Sequence, residues 1–222
     1  PQFDMPPVVE TAVGVEFAPL AKWDIPYFGL FWHEIREAYP HQRVLYVSPA
    51  PAGLPFLPIS PQASVRCQFL NRTETRLIQV QNDRFFYNWQ KLHGPEPYPH
   101  YETLRPRFTV EWERFRQFLV AQEIGFPDIQ VCEITYVNHI ERGQGWDTLA
   151  DLPDVLKAWS GMSGTAILSA PAGIALDVIF PLSNEKGQLR VQAQSAIRNT
   201  DGKEVFVLSL VARGRPESSE IE

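Results

Sequence analysis

The segment Arg76-Leu77-Ile78-Gln79-Val80-Gln81-Asn82-Asp83-Arg84-Phe85 decides the architecture. Ile78 and Val80 alternate with Gln79 and Gln81, the two-residue period of a strand with one apolar and one polar face. Asn82-Asp83 is a two-residue link built from residue types that tolerate positive φ, so residues 76–81 and 84–89 read as an antiparallel hairpin. Residues 65–70 read as a third strand beside it. The Gln-x-Gln pattern returns at Gln192 and Gln194, within Val191-Gln192-Ala193-Gln194. A second echo accompanies it: Trp23-Asp24 opens a helical stretch after one alternating strand, and Trp146-Asp147 opens another after a second. Self-similarity at this spacing predicts two related α+β halves, residues 8–124 and 129–213, within a single domain.

Each half fills in around that pattern. Residues 8–17 alternate, with Val9, Thr11, Val13, Val15 and Phe17 opposite Glu10, Ala12, Gly14 and Glu16, which predicts a half-exposed strand. Asp24 is placed to cap a helix that has Pro26 in its first turn and Phe28, Phe31, Trp32, Ile35 and Tyr39 along one stripe, ending before Pro40. Residues 43–47 form a short strand. The stretch 48–61 is rich in proline, and Pro55, Pro58 and Pro61 fall at the polyproline period. With no basic anchor nearby it reads as a loop pinned by Leu54, Phe56, Leu57 and Ile59. Residues 93–101 make a second Pro-rich loop. From Pro106, Phe108, Trp112, Phe115 and Leu119 repeat at helical spacing until Gly125.

In the second half Cys132, Ile134 and Tyr136 alternate with Glu133, Thr135, Val137 and His139 along residues 129–140. A short helix is predicted around Leu152, Leu156 and Trp159. Strands follow at 174–182, 188–198 and 203–213, separated by turn signals at 184–187 and 199–202. The half repeats the first but lacks its closing helix, which is expected beyond Glu222.

Composition narrows the function classes. The 222 residues, 44% hydrophobic, suffice for a substantial core, and a net charge of -6 argues against a broad surface for nucleic acid. No apolar run approaches the length of a membrane span, and the chain reads as cytoplasmic. Cys67 and Cys132 read as reduced, buried thiols. The five histidines, at 33, 41, 93, 100 and 139, show no ligand spacing, so neither a metal nor a cofactor is expected. Phosphate-loop, dinucleotide, zinc-protease and nucleophile-elbow motifs are absent from the sequence. Glu133 and His139 stand six residues apart on one strand, about 20 Å, too far for a direct acid/base pair.

The polar sheet face is the remaining candidate site. Glu10, Glu16, Gln79, Gln81, Glu133, Thr135, His139, Gln192 and Gln194 share it if the strand registers hold. Two readings stand: a solvated face, or a recognition surface on which amides offer both donors and acceptors. Asn82, Arg84, Asn88 and Trp89 add a polar, aromatic hairpin, in which Arg84 either closes a turn or pairs with a ligand's carboxylate or phosphate. The binding candidates are therefore Gln79, Gln81, Asn82, Arg84, Asn88, Glu133, His139, Gln192 and Gln194, with no catalytic residue assigned.

The opening Pro6-Pro7-Val8-Val9-Glu10, the run 76–85 ending in Asn88-Trp89, and Glu133-Ile134-Thr135-Tyr136-Val137-Asn138-His139-Ile140 resemble a sporadically distributed, uncharacterised bacterial family of about 250 residues. The resemblance implies one further C-terminal helix and a setting in accessory or defence-type gene cassettes, where small interaction proteins are frequent. It implies no activity. The fold expected is a curved antiparallel sheet with helices on its apolar face, on the plan of TATA-binding-protein-like or helix-grip folds. The function expected is non-enzymatic binding of a protein partner, a second copy of the chain or a polar ligand. An enzyme of unrecognised type and a nucleic-acid module are the alternatives.

Overall fold

The computed structural model describes residues 6–47, 64–92, 97–156, 167, 169, 171–183 and 186–216. The Pro-rich stretch 48–61, His93 and Trp159 lie outside them. Among the described residues the protein is α+β, with a large antiparallel sheet of nine strands and three α-helices.

In chain order the elements are β1 (Val8–Phe17), α1 (Ile25–Ile35), β2 (His41–Val47), β3 (Ser64–Leu70), β4 (Arg76–Gln81), β5 (Arg84–Gln90) and α2 (Tyr101–Ala121). They continue with β6 (Ile129–Glu141), a 3₁₀ turn (Leu149–Asp151), α3 (Leu152–Val155), β7 (Ala175–Pro181), β8 (Gly187–Ile197) and β9 (Glu204–Gly214). The hydrogen-bonded order is β2-β3-β4-β5-β1-β6-β9-β8-β7. The chain divides into two compact units: residues 11–134 with 214–222 form the first, and residues 1–10 with 135–213 form the second.

The first unit is built on an aromatic core. Asp24 accepts a hydrogen bond from Ile25 N at 2.7 Å and caps α1, whose Phe28, Phe31 and Ile35 are buried at three- and four-residue spacing. Helix α2 buries Phe108, Trp112, Phe115 and Leu119, as their spacing predicts. It starts at Tyr101, five residues ahead of the expected Pro106, because Leu104, 0% exposed, anchors an extra turn. Pro106 therefore sits inside the helix and withholds one backbone donor. Phe85 of β5 meets Phe108, Trp112 and Phe115 at 6.3, 5.5 and 5.0 Å between ring centroids, so Phe85, Tyr87 and Trp89 face the helices. The register pairs Ile78 with Tyr87 and Val80 with Phe85 on that face, and Gln79 with Phe86 and Gln81 with Arg84 on the other.

Strand β1 differs from the expectation of a half-exposed strand. It lies between β5 and β6, and Ala12, Val13, Val15 and Phe17 are all buried. On the face away from the helices the Phe86 ring lies directly over Gly14, where a Cβ would also stand 2.6 Å from the Phe85 carbonyl oxygen. The β4–β5 turn also departs from its predicted chemistry, since neither Asn82 nor Asp83 has a positive φ. Their carbonyls are instead turned to accept from Leu20 N and Phe17 N, both at 2.9 Å.

The second unit has a smaller core, Trp146, Leu152, Ala193 and Phe206, flanked by partly buried Ile140, Leu149, Leu176 and Leu208. Trp146 donates Nε1–H to the Ile140 carbonyl at 3.1 Å. The cap here is Thr148 with Asp151, not Asp147, and α3 ends at Val155, shorter than the sequence suggests. Strands β6 and β9 are half-buried along most of their length, whereas β4 and β5 are buried on both faces.

Two substitutions test this core. Trp112→Ala should lower the stability measured by urea unfolding by about 3–5 kcal/mol. Gly14→Ala should destabilise as well, because the added methyl group meets the Phe86 ring and the β5 backbone. A near-parental midpoint for the first would place α2 in solvent.

Candidate functional site

The sequence candidates fall in both units. Gln79, Gln81, Asn82, Arg84, Asn88 and Glu133 belong to the first, and His139, Gln192 and Gln194 to the second.

In the first unit Gln79, Gln81 and Asn88 are only 9%, 3% and 6% exposed, so the expected solvated or open surface does not hold at these positions. A buried amide needs partners, and the strand register supplies them to Gln79 and Gln81. Gln81 Oε1 accepts from Arg66 Nε at 2.7 Å, and Gln68, directly opposite Gln79, donates Nε2–H to its Oε1 at 3.4 Å. Asn82 is exposed at the turn. Arg84 is closed internally: Nε and Nη2 reach the two Asp83 oxygens at 3.0 Å, and Nη1 reaches Glu16 Oε1 at 3.0 Å. The Asp83 hydrogen bond, against the opposing effect of burial, raises the Arg84 pKa, and Glu16 and Glu133 add to that.

The second unit places the same Gln-x-Gln pattern in the open. Ala193, between the two glutamines, packs in the Trp146–Leu152–Phe206 core, so Gln192 and Gln194 point away from it. Gln194 is exposed. Gln192 lies opposite Asp177 of β7 and donates Nε2–H to its Oδ2 at 3.3 Å. Arg190 holds the same carboxylate, with Nε to Oδ1 at 2.9 Å, and the two charged side chains remain 44% and 43% exposed. The guanidinium keeps Asp177 below the usual carboxylate range.

His139 stands near a charged cluster. Arg198 bridges Glu141 at 2.6 Å and Asp201, while Lys203 reaches Glu141 at 2.8 Å. His139 Nδ1 is buried without a hydrogen-bond partner among the described residues, and burial, then the Arg198 charge, lowers its pKa. Hydrogen bonds from Lys203 and Arg198 hold Glu141 low, and Arg198 pulls Asp201 down to about 2.

Arg84, Arg190 and Arg198 each meet carboxylates within their own unit. Cys67 is buried and its thiol is pushed up to about 11 by burial, while Cys132 is half-buried rather than enclosed. Among the described residues no His, Cys, Asp and Glu side chains gather in a group able to hold a metal ion, and no helix is long and apolar enough to cross a membrane.

Sequence reasoning missed Arg66, Gln68 and Asp177, the cross-strand partners of the glutamines. Their signal was the pairing register, which only the turn lengths encode. Compared with known proteins, the chain matches no family model, no curated protein and no solved structure.

The charge cluster makes stability depend on pH. His139 has its folded pKa below 6.5, so its neutral form supports the fold fully above 6.5 and that support is lost as pH falls. Glu141 and Asp201 act in the same direction at lower pH, because their depressed values are lost only as the carboxylates protonate. The urea midpoint should therefore decline in two stages on acidification. His139→Gln should flatten the stage that begins as pH falls through 6.5 and leave the lower one. An unchanged upper stage would show that another group produces it.

Proposed function

We propose that the protein is a binding module that recognises a protein partner through the sheet face of its second unit, with Arg190, Gln192 and Gln194 as the contacting side chains. The observation that carries this reading is the contrast between the two Gln-x-Gln segments. Gln79 and Gln81 are buried and consumed by Arg66 and Gln68. Gln192 and Gln194 hold equivalent places beside a half-exposed ion pair. Amides and a guanidinium on a strand surface offer donors and acceptors spaced for a polypeptide's polar groups. The accessory or defence-type setting implied by the family resemblance agrees with such a role.

The same reading includes an internal duplication. The first unit orders its strands β2-β3-β4-β5-β1, and β7-β8-β9-β6 repeats the last four places of that order. Gln79 opposite Gln68 then corresponds to Gln192 opposite Asp177. A strand, helix and four strands followed by a helix is also the plan of the TATA-binding-protein-like and helix-grip folds. An experimental strand-pairing map with a different order in residues 129–213 would end this part of the reading.

A photo-reactive amino acid placed at Gln194, with a control at Glu113 on α2, tests the recognition surface in the native host. The expected result is an adduct at position 194 whose mass differs from a dimer of the 25.4 kDa chain, and which is lost in Arg190→Ala. Identical adducts from both positions would refute it.

A further inference from the structure

Among the described residues β7 ends the sheet, so one side of its backbone has no strand neighbour there. Two hydrogen bonds fix which residues that side presents. Leu182 N donates to Gly187 O at 2.8 Å and Ser195 N to Ile174 O at 3.1 Å, so residues 174 and 182 face β8. By the two-residue period Leu176, Val178 and Phe180 do the same. Ala175, Asp177 and Ile179 therefore turn their N–H and C=O groups outward, while Pro181 turns out a carbonyl alone.

Exposed apolar side chains stand on both faces of the strand. Ile179 is 54% and Phe180 49% exposed, and as neighbours they project to opposite sides. A helix or loop laid on the sheet covers one face only. An added strand supplies neighbours to both faces and binds the outward backbone groups as well. The other terminal strand, β2, opens with His41, Gln42 and Arg43, polar and charged residues of the kind that keep exposed edges from pairing, before its exposed Val44 and Tyr46.

We infer that this edge is occupied by β7 of a second copy, in antiparallel pairing about a two-fold axis at Val178. Such an interface is isologous, and the sequence is self-complementary in that register. Leu176 stands opposite Phe180 of the second copy, and Val178 opposite its counterpart, so one face of the seam is apolar throughout. On the other face Asp177 meets Ile179 of the second copy. Its charge is already held by Arg190 on its own chain, so no bare carboxylate enters the seam. Asp177 and Ile179 exchange backbone hydrogen bonds across the axis, and Ala175 N–H reaches the Pro181 carbonyl, where the missing donor ends the ladder. This inference rests on the backbone phase and apolar edge of β7 and stands apart from the partner surface proposed above.

Sedimentation velocity over a series reaching millimolar concentration tests it. The parent should form a dimer. Ile179→Pro removes an outward donor from each copy, leaves the β8 ladder intact, and should raise the dimer Kd by about 30-fold. Phe180→Glu should also dissociate the dimer, and it decides the matter if circular dichroism shows that the proline variant has lost its fold. A parent that stays monomeric throughout, or a dimer that survives both substitutions, overturns the inference.

Discussion

Phe115 is the residue on which the first unit converges. Its ring, 0% exposed, lies 5.0 Å from Phe85, 5.2 Å from Phe31, 5.6 Å from Trp23, 5.9 Å from Trp112 and 6.4 Å from Phe17, centroid to centroid. Those partners come from β5, α1, the turn before α1, α2 itself and β1. One side chain thus ties together every layer of the unit. Edge-on and stacked contacts of this kind add to the burial of large rings, and they allow few alternative packings. Because Phe85 is fixed from this side, Phe86 must point the other way and cover Gly14. The polar register of β4 against β3 follows from the same constraint.

That constraint explains why a repeated pattern has two chemical outcomes. Where both faces of the sheet are buried, Gln79 and Gln81 cannot remain solvated, and each takes a cross-strand donor. Where the core is smaller, Gln192 and Gln194 stay near solvent beside the Asp177–Arg190 pair. An exposed ion pair of this type contributes little stability and serves to set local polarity. The proposed partner surface depends on this difference in burial.

The sequence carried the local structure well. The period of Phe108, Trp112, Phe115 and Leu119 located α2, Asp24 located the start of α1, and the alternation around Gln79 set the faces of β4. What the sequence did not show was depth. Alternation at β1 looks like a half-exposed strand because Gly14 and Ala12 are small, and only Phe86 arriving from β5 reveals why Gly14 must be. The start of α2 was misread because Pro106 signals a helix N-terminus, whereas the buried Leu104 extends the helix past it. The partners of the glutamines were not legible, since cross-strand neighbours are set by register and not by distance along the chain.

The central claim is that the first unit, closed on both sheet faces around Phe115, carries the high stability, while the second is held by a smaller cluster around Trp146. Native-state hydrogen exchange resolved along the chain tests it most directly. The account predicts that amides of residues 77–80 and 85–89 exchange only through global unfolding, while those of residues 187–197 exchange through openings of lower free energy. Equal opening free energies in the two regions, or greater protection in residues 187–197, would contradict it.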